Sequence, residues 1–223
     1  NPNCILIVTG CMTQVRKDIE AIDADIIIGN KYKSKIIDLI DEFKSNHKKI
    51  IRVESLDSIP FESMILNNFK HIRAFVKIED GCENFCSYCI IPFARGKVRS
   101  KEPKFVIEEI TNLVNDGHEE VVLTGIHTGH YGADLNDFNF AKLLKEIVKI
   151  NGLKRLRISS IEITEITDEV MDIIRDNKVI VDHMHIPLQS GSNEILKAMN
   201  RKYDKEYFID RIKRLRNIRP DIS

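Results

Sequence analysis

No stretch of this sequence approaches the roughly 18 consecutive apolar residues that a helix needs to cross a bilayer, which argues against a membrane partner. The opening residues Asn1-Pro2-Asn3 offer neither a basic n-region nor a long apolar core, so no signal peptide is expected and residence is expected to be cytoplasmic. Charge of one sign is also missing: 34 basic residues face 34 acidic ones. That balance removes any global electrostatic case for nucleic acid, DNA included, and leaves RNA contact to local patches. Cysteine is scarce, with five in the chain and none after Cys89. Three of the five fall between positions 82 and 89. In a reducing compartment such clustering argues against disulfides and for a metal or a reactive thiol. There is no low-complexity tract and no internal repeat.

What is present is an ordinary globular composition, 43% apolar over 223 residues, with strand and helix signals in alternation. Residues 4–9 and 24–28 read as buried strands, 13–21 as a polar helix, and 33–44 as a helix with an apolar stripe. This βαβα order predicts a parallel sheet. Residues 45–71 are irregular and read as a linker. A second series follows: strands at 72–79, 119–124, 154–159 and 182–187, and helices at 103–116, 138–150, 165–176, 192–199 and 204–218. The fold class is therefore α/β, with a small N-terminal domain and a (β/α) barrel or open parallel sheet. Functional loops in either architecture lie at the carboxyl ends of the strands.

At one such end lies Asp80-Gly81-Cys82-Glu83-Asn84-Phe85-Cys86-Ser87-Tyr88-Cys89. Three thiolates suit three corners of a [4Fe–4S] cube and leave one iron open, whereas a fully protein-ligated cube takes four. An open iron can chelate the amino and carboxylate groups of a methionine moiety, and an electron from the cluster can break a sulfonium bond. Two plainer readings compete. The i, i+4, i+7 spacing is also one face of a helix, where cysteine would be core. A zinc site is the other, but it calls for a fourth ligand and a second cysteine pair.

The Cys-x-x-x-Cys-x-x-Cys spacing with Tyr88 before the last cysteine resembles the radical S-adenosylmethionine (SAM) signature. The wider run from Glu79 to Gly96 is similar to the methylthiotransferase family, which thiomethylates tRNA adenosines or a ribosomal protein. The resemblance implies a partial N-terminal cluster domain (1–45), a linker (46–71) and an incomplete radical SAM barrel (72–223). It implies that Cys82, Cys86 and Cys89 bind the radical-generating cluster, with Tyr88 near the adenine of SAM. The loop Leu123-Thr124-Gly125-Ile126-His127-Thr128-Gly129-His130 would present Thr124 and Gly125 to the SAM amino end, and Ser159 and Gln189 would add contacts. Thr9-Gly10-Cys11-Met12-Thr13-Gln14 matches the family's pattern for the last ligand of a second [4Fe–4S] cluster. Cys11 is thus expected to bind an auxiliary cluster whose other ligands would precede residue 1. Both ends of the chain are accordingly expected to be cuts in a longer polypeptide, with a C-terminal RNA-binding module beyond. Cys4, at the start of a strand, is expected to be a buried small residue.

Ser159-Ser160-Ile161-Glu162 resembles the branch that acts on threonylcarbamoyladenosine beside the anticodon, which makes the tRNA anticodon stem-loop the implied partner. The branches acting on isopentenyladenosine or on a ribosomal-protein aspartate remain as alternatives, and a zinc- or RNA-binding module remains as the non-enzymatic one. His127 and His130 read as loop histidines rather than metal ligands, since no carboxylate keeps their spacing. The motif Met199-Asn200-Arg201-Lys202-Tyr203 resembles a family motif without an assigned role. Basic residues after the cysteine loop (Arg95, Lys97, Arg99, Lys101, Lys104) are expected either to be solvated or to hold RNA phosphates, and those from Arg211 to Arg219 to form a solvated face. The electron donor is not legible.

Overall fold

A computed structural model describes residues 4–56, 61 and 72–223. The chain begins with three short parallel strands, β1 (Ile7–Thr9), β2 (Ile26–Ile28) and β3 (Ile50–Arg52), in the order β1-β2-β3. Three consecutive isoleucines make β2 the buried centre strand, as expected where both faces of a parallel sheet are covered. The short helix α1 (Cys11–Val15) follows β1, and α2 (Ile36–Asn46) lays Ile36, Leu39, Ile40 and Phe43 against the sheet. The strand at 50–52 corrects the reading of this stretch as linker: the first sheet runs past residue 45, because Ile50 is buried beside Ile26. Most of the rest of that linker lies outside the described residues. Cys4 is exposed, contrary to expectation, because strand pairing starts only at Ile7.

The second sheet is β4 (Arg73–Lys77), β7 (Glu120–Thr124) and β8 (Arg155–Ile158), all parallel, in the order β4-β7-β8. Between β4 and β7 lie a two-residue antiparallel pair, β5 (Glu79–Asp80) with β6 (Arg99–Ser100), and helices α3 (Ile91–Arg95) and α4 (Pro103–Asn115). Then come α5 (Phe140–Ile147), α6 (Asp168–Asp176), α7 (Asn193–Ala198) and α8 (Lys205–Ile218). Burial alternates along β4: Ala74 and Val76 join the core with α4 and α5, while Arg73, Phe75 and Lys77 point the other way. The helices thus cover one face of the sheet and leave the other, inner face lined by alternate residues.

The strand expected at 182–187 does not form. The chain beside β8 makes one isolated parallel bridge, Leu156 with Ile180, and then only single backbone bonds such as Ile161 N–H to His185 O. A segment at the sheet edge has a partner on one side only, so its pairing is set by scattered bonds rather than a ladder.

Glu120 fastens the sheet. Its carboxylate is 3% exposed and receives Arg73 from β4 at 2.8 Å, and Arg155 and Arg157 from β8 at 2.7 and 2.6 Å. The partners are in cross-strand register, Arg73 and Arg155 both opposite Glu120. Glu120→Ala leaves three guanidinium groups without their counter-ion. It should lower the unfolding free energy by about 2 kcal/mol in chemical denaturation, against a few tenths for the exposed Glu119→Ala.

Candidate functional site

The cysteine loop leaves β5 through a turn that only glycine can make. Gly81 has φ +95°, and a Cβ there would stand 2.0 Å from the Lys97 carbonyl. Cys82 N–H then bonds Gly96 O at 3.1 Å, closing the loop's neck, and Cys89 N–H bonds Cys86 O at 2.9 Å. Residues 81–90 are not helical, so the three cysteines are not one face of a helix. Cys82, Cys86 and Cys89 line a single cavity of about 160 Å³, together with Tyr88, His127, Glu162, Gln189 and Arg201. All five cysteines carry free thiols.

The loop is held from outside by the Met199–Tyr203 motif. Ser87 N–H donates to Met199 O at 3.2 Å, and the Asn200 amide donates to the carbonyls of Asn84 and Phe85 at 3.3 and 2.9 Å. Asn200 reaches them from a left-handed backbone conformation (φ 57°), which asparagine tolerates better than most residues. Arg201 donates through Nη1 to Cys86 Sγ at 3.2 Å and pairs through Nη2 with Glu162.

Glu162 is the hub. It is 6% exposed and takes the Asn84 amide at 2.5 Å, the Arg201 guanidinium, and His127 Nε2 at 3.4 Å. Burial works against its charge, yet the His127 hydrogen bond and the Arg201 charge hold its carboxyl below the usual range. Burial likewise opposes a charged His127, but its bonds to Cys82, Glu162 and Glu165 outweigh that and push it up to about 12. His127 Nδ1 lies 3.6 Å from Cys82 Sγ. Two cationic donors thus rest on two of the three sulfurs, and one carboxylate anchors both.

Not every expected site residue gathers here. Thr124 and Gly125 line a neighbouring cavity of about 450 Å³ on the inner face of the sheet, which shares Ile126 with the first. Ser159 meets Thr128 Oγ1 at 3.0 Å and does not line the cysteine cavity, whereas Ser160 does. Cys11 is also apart, at the start of α1, where Arg95 Nε donates to its sulfur at 3.2 Å. A carboxylate does reach His127 and His130: Glu165, distant in sequence, pairs directly with His127 Nε2 and lies 3.8 Å from His130 Nε2.

Of the basic run after the loop, Arg95, Arg99 and Lys101 turn inward, while Lys97 and Lys104 stay exposed as expected of a solvated face. Arg95 and Arg99 approach Asp80 at 3.4 and 3.6 Å, and Lys101 is buried against Glu109. Arg211 is buried on Asp168 and Ile166 O, and Arg219 binds Asp182 and three carbonyls, so the last helix is not a purely solvated basic face either.

Comparison with known proteins agrees with this geometry. Residues 76–222 match the radical SAM superfamily, and the chain belongs to it. Over its whole length it is 44% identical to the threonylcarbamoyladenosine tRNA methylthiotransferase MtaB of Bacillus subtilis (strain 168), of which it covers 51%. It is 36% identical to a tRNA-2-methylthio-N(6)-dimethylallyladenosine synthase of Clostridium botulinum (strain Hall), again covering 51%. The chain thus spans about half the length of the curated relatives it matches. Among solved structures, the cobalamin-dependent SAM radical enzyme OxsB matches 95% of this chain and 34% of its own, with TM-score 0.66 at 15% identity. The radical SAM methyltransferase TsrM of Kitasatospora setae matches 65% of this chain and 28% of its own, with TM-score 0.53 at 19% identity. These two speak to the fold.

Membership of the superfamily implies a [4Fe–4S] cluster and SAM. The residues present fit that group: three free thiols face one cavity, and Arg201 and His127 supply positive charge to sulfur. Donors of this kind stabilise thiolate ligands and tune the cluster they hold.

Glu79, next to the loop, is fully buried, accepts the His127 backbone N–H at 2.7 Å, and is pushed up to about 7 by burial. Its folded-state value lies above its unfolded one, so its favourable contribution is complete below about pH 4.5 and fades as pH rises through about 7. Glu79→Gln should remove that part of the pH dependence. Unfolding free energies measured between pH 5 and 8 should fall less steeply in the variant, by roughly 3 kcal/mol across the window. Parallel curves would contradict the assignment.

Proposed function

We propose that this chain forms the cluster- and SAM-binding part of a tRNA methylthiotransferase that places a methylthio group on carbon 2 of threonylcarbamoyladenosine beside the anticodon. The observation that carries the reading is the convergence of Cys82, Cys86 and Cys89 on one cavity, with Arg201 and His127 against two of their sulfurs. Substrate choice rests on similarity: identity is higher to the threonylcarbamoyladenosine enzyme than to the dimethylallyladenosine one.

In this reading Cys82, Cys86 and Cys89 hold a [4Fe–4S] cluster with one iron left for SAM, and the bound pair supplies radical chemistry at the substrate. The chain's own residues position and shield. Gly81 and Asn200 fix the loop, while Glu162 keeps Arg201 and His127 charged against the sulfurs. Tyr88 and Gln189, which line the same cavity, contact SAM, with Tyr88 toward the adenine. Thr124 and Gly125 act from the adjoining cavity, which Ile126 also borders, and Ser159 acts through Thr128. Cys11 serves an auxiliary cluster, the second in the parent protein, whose remaining ligands lie outside this chain; Arg95 supports its sulfur.

The domains are an N-terminal cluster domain, which includes β3, and a radical SAM core from residue 72. The partner is a tRNA anticodon stem-loop, and residence is cytoplasmic. Among the described residues no helix is long and apolar enough to cross a membrane.

The test uses the full-length protein, reconstituted with iron and sulfide without oxygen. Cys86→Ala should remove the share of iron and of broad visible absorption that belongs to the Cys82/Cys86/Cys89 cluster, leaving that of the auxiliary cluster, and reduce SAM cleavage by more than about 100-fold, beyond what loss of a supporting partner causes. Glu162→Gln should keep some cluster and lose about tenfold in activity. Mass spectrometry of the product should place the methylthio group on threonylcarbamoyladenosine. A colourless zinc protein, or a product on a ribosomal-protein aspartate, would overturn the reading.

A further inference from the structure

The second cavity, between the first sheet and the inner face of the second, has an unusual charge pattern. Lys33, Lys77 and Arg95 line it from three separate segments, together with the buried carboxylate of Asp80. That one carboxylate receives Lys77 at 2.6 Å and Arg95 at 3.4 Å, and Arg99 approaches at 3.6 Å. The other acid and base in the wall, Lys101 and Glu109, satisfy each other. Cations therefore outnumber the acid available to them. Lys33 is half-buried and has no hydrogen-bond or ion-pair partner among the described residues. Burial, with the charges of Arg95 and Lys77, disfavours its ammonium. Such a surplus is costly in a partly enclosed space unless an anion enters. Two aromatic rings, Phe61 and Phe75, line the same cavity, with Lys77 Nζ 5.6 Å from the centre of the Phe61 ring. A planar apolar body carrying one negative group matches this mixture of aromatic and cationic lining.

We infer that this cavity receives the modified nucleoside, with Lys33 and Arg95 binding the free carboxylate of its threonylcarbamoyl group and the phenylalanines lying against the base. The assignment rests on the function proposed above and adds to it the means of choosing a substrate. A dimethylallyl group is neutral and apolar, and would leave the cations unpaired. The threonyl carboxylate neutralises them. A site built around a charged partner rejects an analogue that lacks it far more strongly than an apolar pocket rejects a size change. The cavity's volume, about 450 Å³, suits a nucleobase with its substituent.

The experiment measures binding of anticodon stem-loop RNAs to the full-length protein with its clusters reconstituted, at one fixed salt concentration. The RNAs carry threonylcarbamoyladenosine, its methyl ester, or unmodified adenosine. The unsubstituted protein should bind the free-carboxylate RNA at least about tenfold tighter than the ester. Lys33→Gln should bring the two to nearly equal affinity, and Lys33→Arg should restore most of the difference. Equal affinity for acid and ester in the unsubstituted protein would overturn the inference. So would a uniform loss across all three RNAs in Lys33→Gln, which would mark Lys33 as a phosphate contact. The proposed function itself fails separately: it fails if threonylcarbamoyladenosine RNA is bound but never thiomethylated by the active enzyme.

Discussion

The buried carboxylate of Glu162 is the constraint on which the site depends. One acid, nearly out of water, holds the side chains of Asn84, Arg201 and His127. Asn84 belongs to the cysteine loop, Arg201 to the turn after α7, and His127 to the loop after β7. Three segments that are remote in sequence are thereby fixed around one point. Removing one member of a buried charged network strands the others, so such groups act as a unit. The arrangement makes physical sense for thiolate ligands, because the charge that Glu162 stabilises on Arg201 and His127 is delivered to Cys86 and Cys82.

The same logic joins the two sheets. Asn30, at the end of β2, donates to the Ala94 carbonyl at 2.7 Å, and Arg95 spans from Cys11 to Asp80. Helix α3, which leaves the cysteine loop, is thus the common wall of both parts. The basic segment after the loop owes its inward turn to Asp80: a residue at the root of the loop draws Arg95, Arg99 and Lys77 toward the inner face. The inner face becomes a cation-lined chamber next to the cysteine cavity, and Ile126 borders both.

Much of this was legible in the sequence where the signal is local. The apolar runs at 26–28 and 121–123 gave buried strands, Pro103 opened α4, and Ser192 caps α7 through its hydroxyl. The cysteine spacing pointed to one site, and the side chains do share a cavity. What escaped was set by tertiary partners. Glu165 lies far along the chain from His127, so no spacing rule links them. Arg201 sits in a motif whose role becomes visible only once Cys86 is beside it. The strand expected at 182–187 has the right composition but only one neighbour, and composition does not report sheet position. Cys4 was misjudged because strand propensity began earlier than strand pairing.

The central claim is that three cysteines, stabilised by Arg201 and His127, hold a cluster with one iron unclaimed by protein. The most direct measurement is the electron paramagnetic resonance spectrum of the reduced full-length protein before and after SAM is added. The account predicts a reduced [4Fe–4S] signal that changes when SAM binds, because the ligand occupies the iron the protein leaves open. A spectrum that SAM leaves unchanged, or a protein that takes up zinc and no iron at these cysteines, would contradict it.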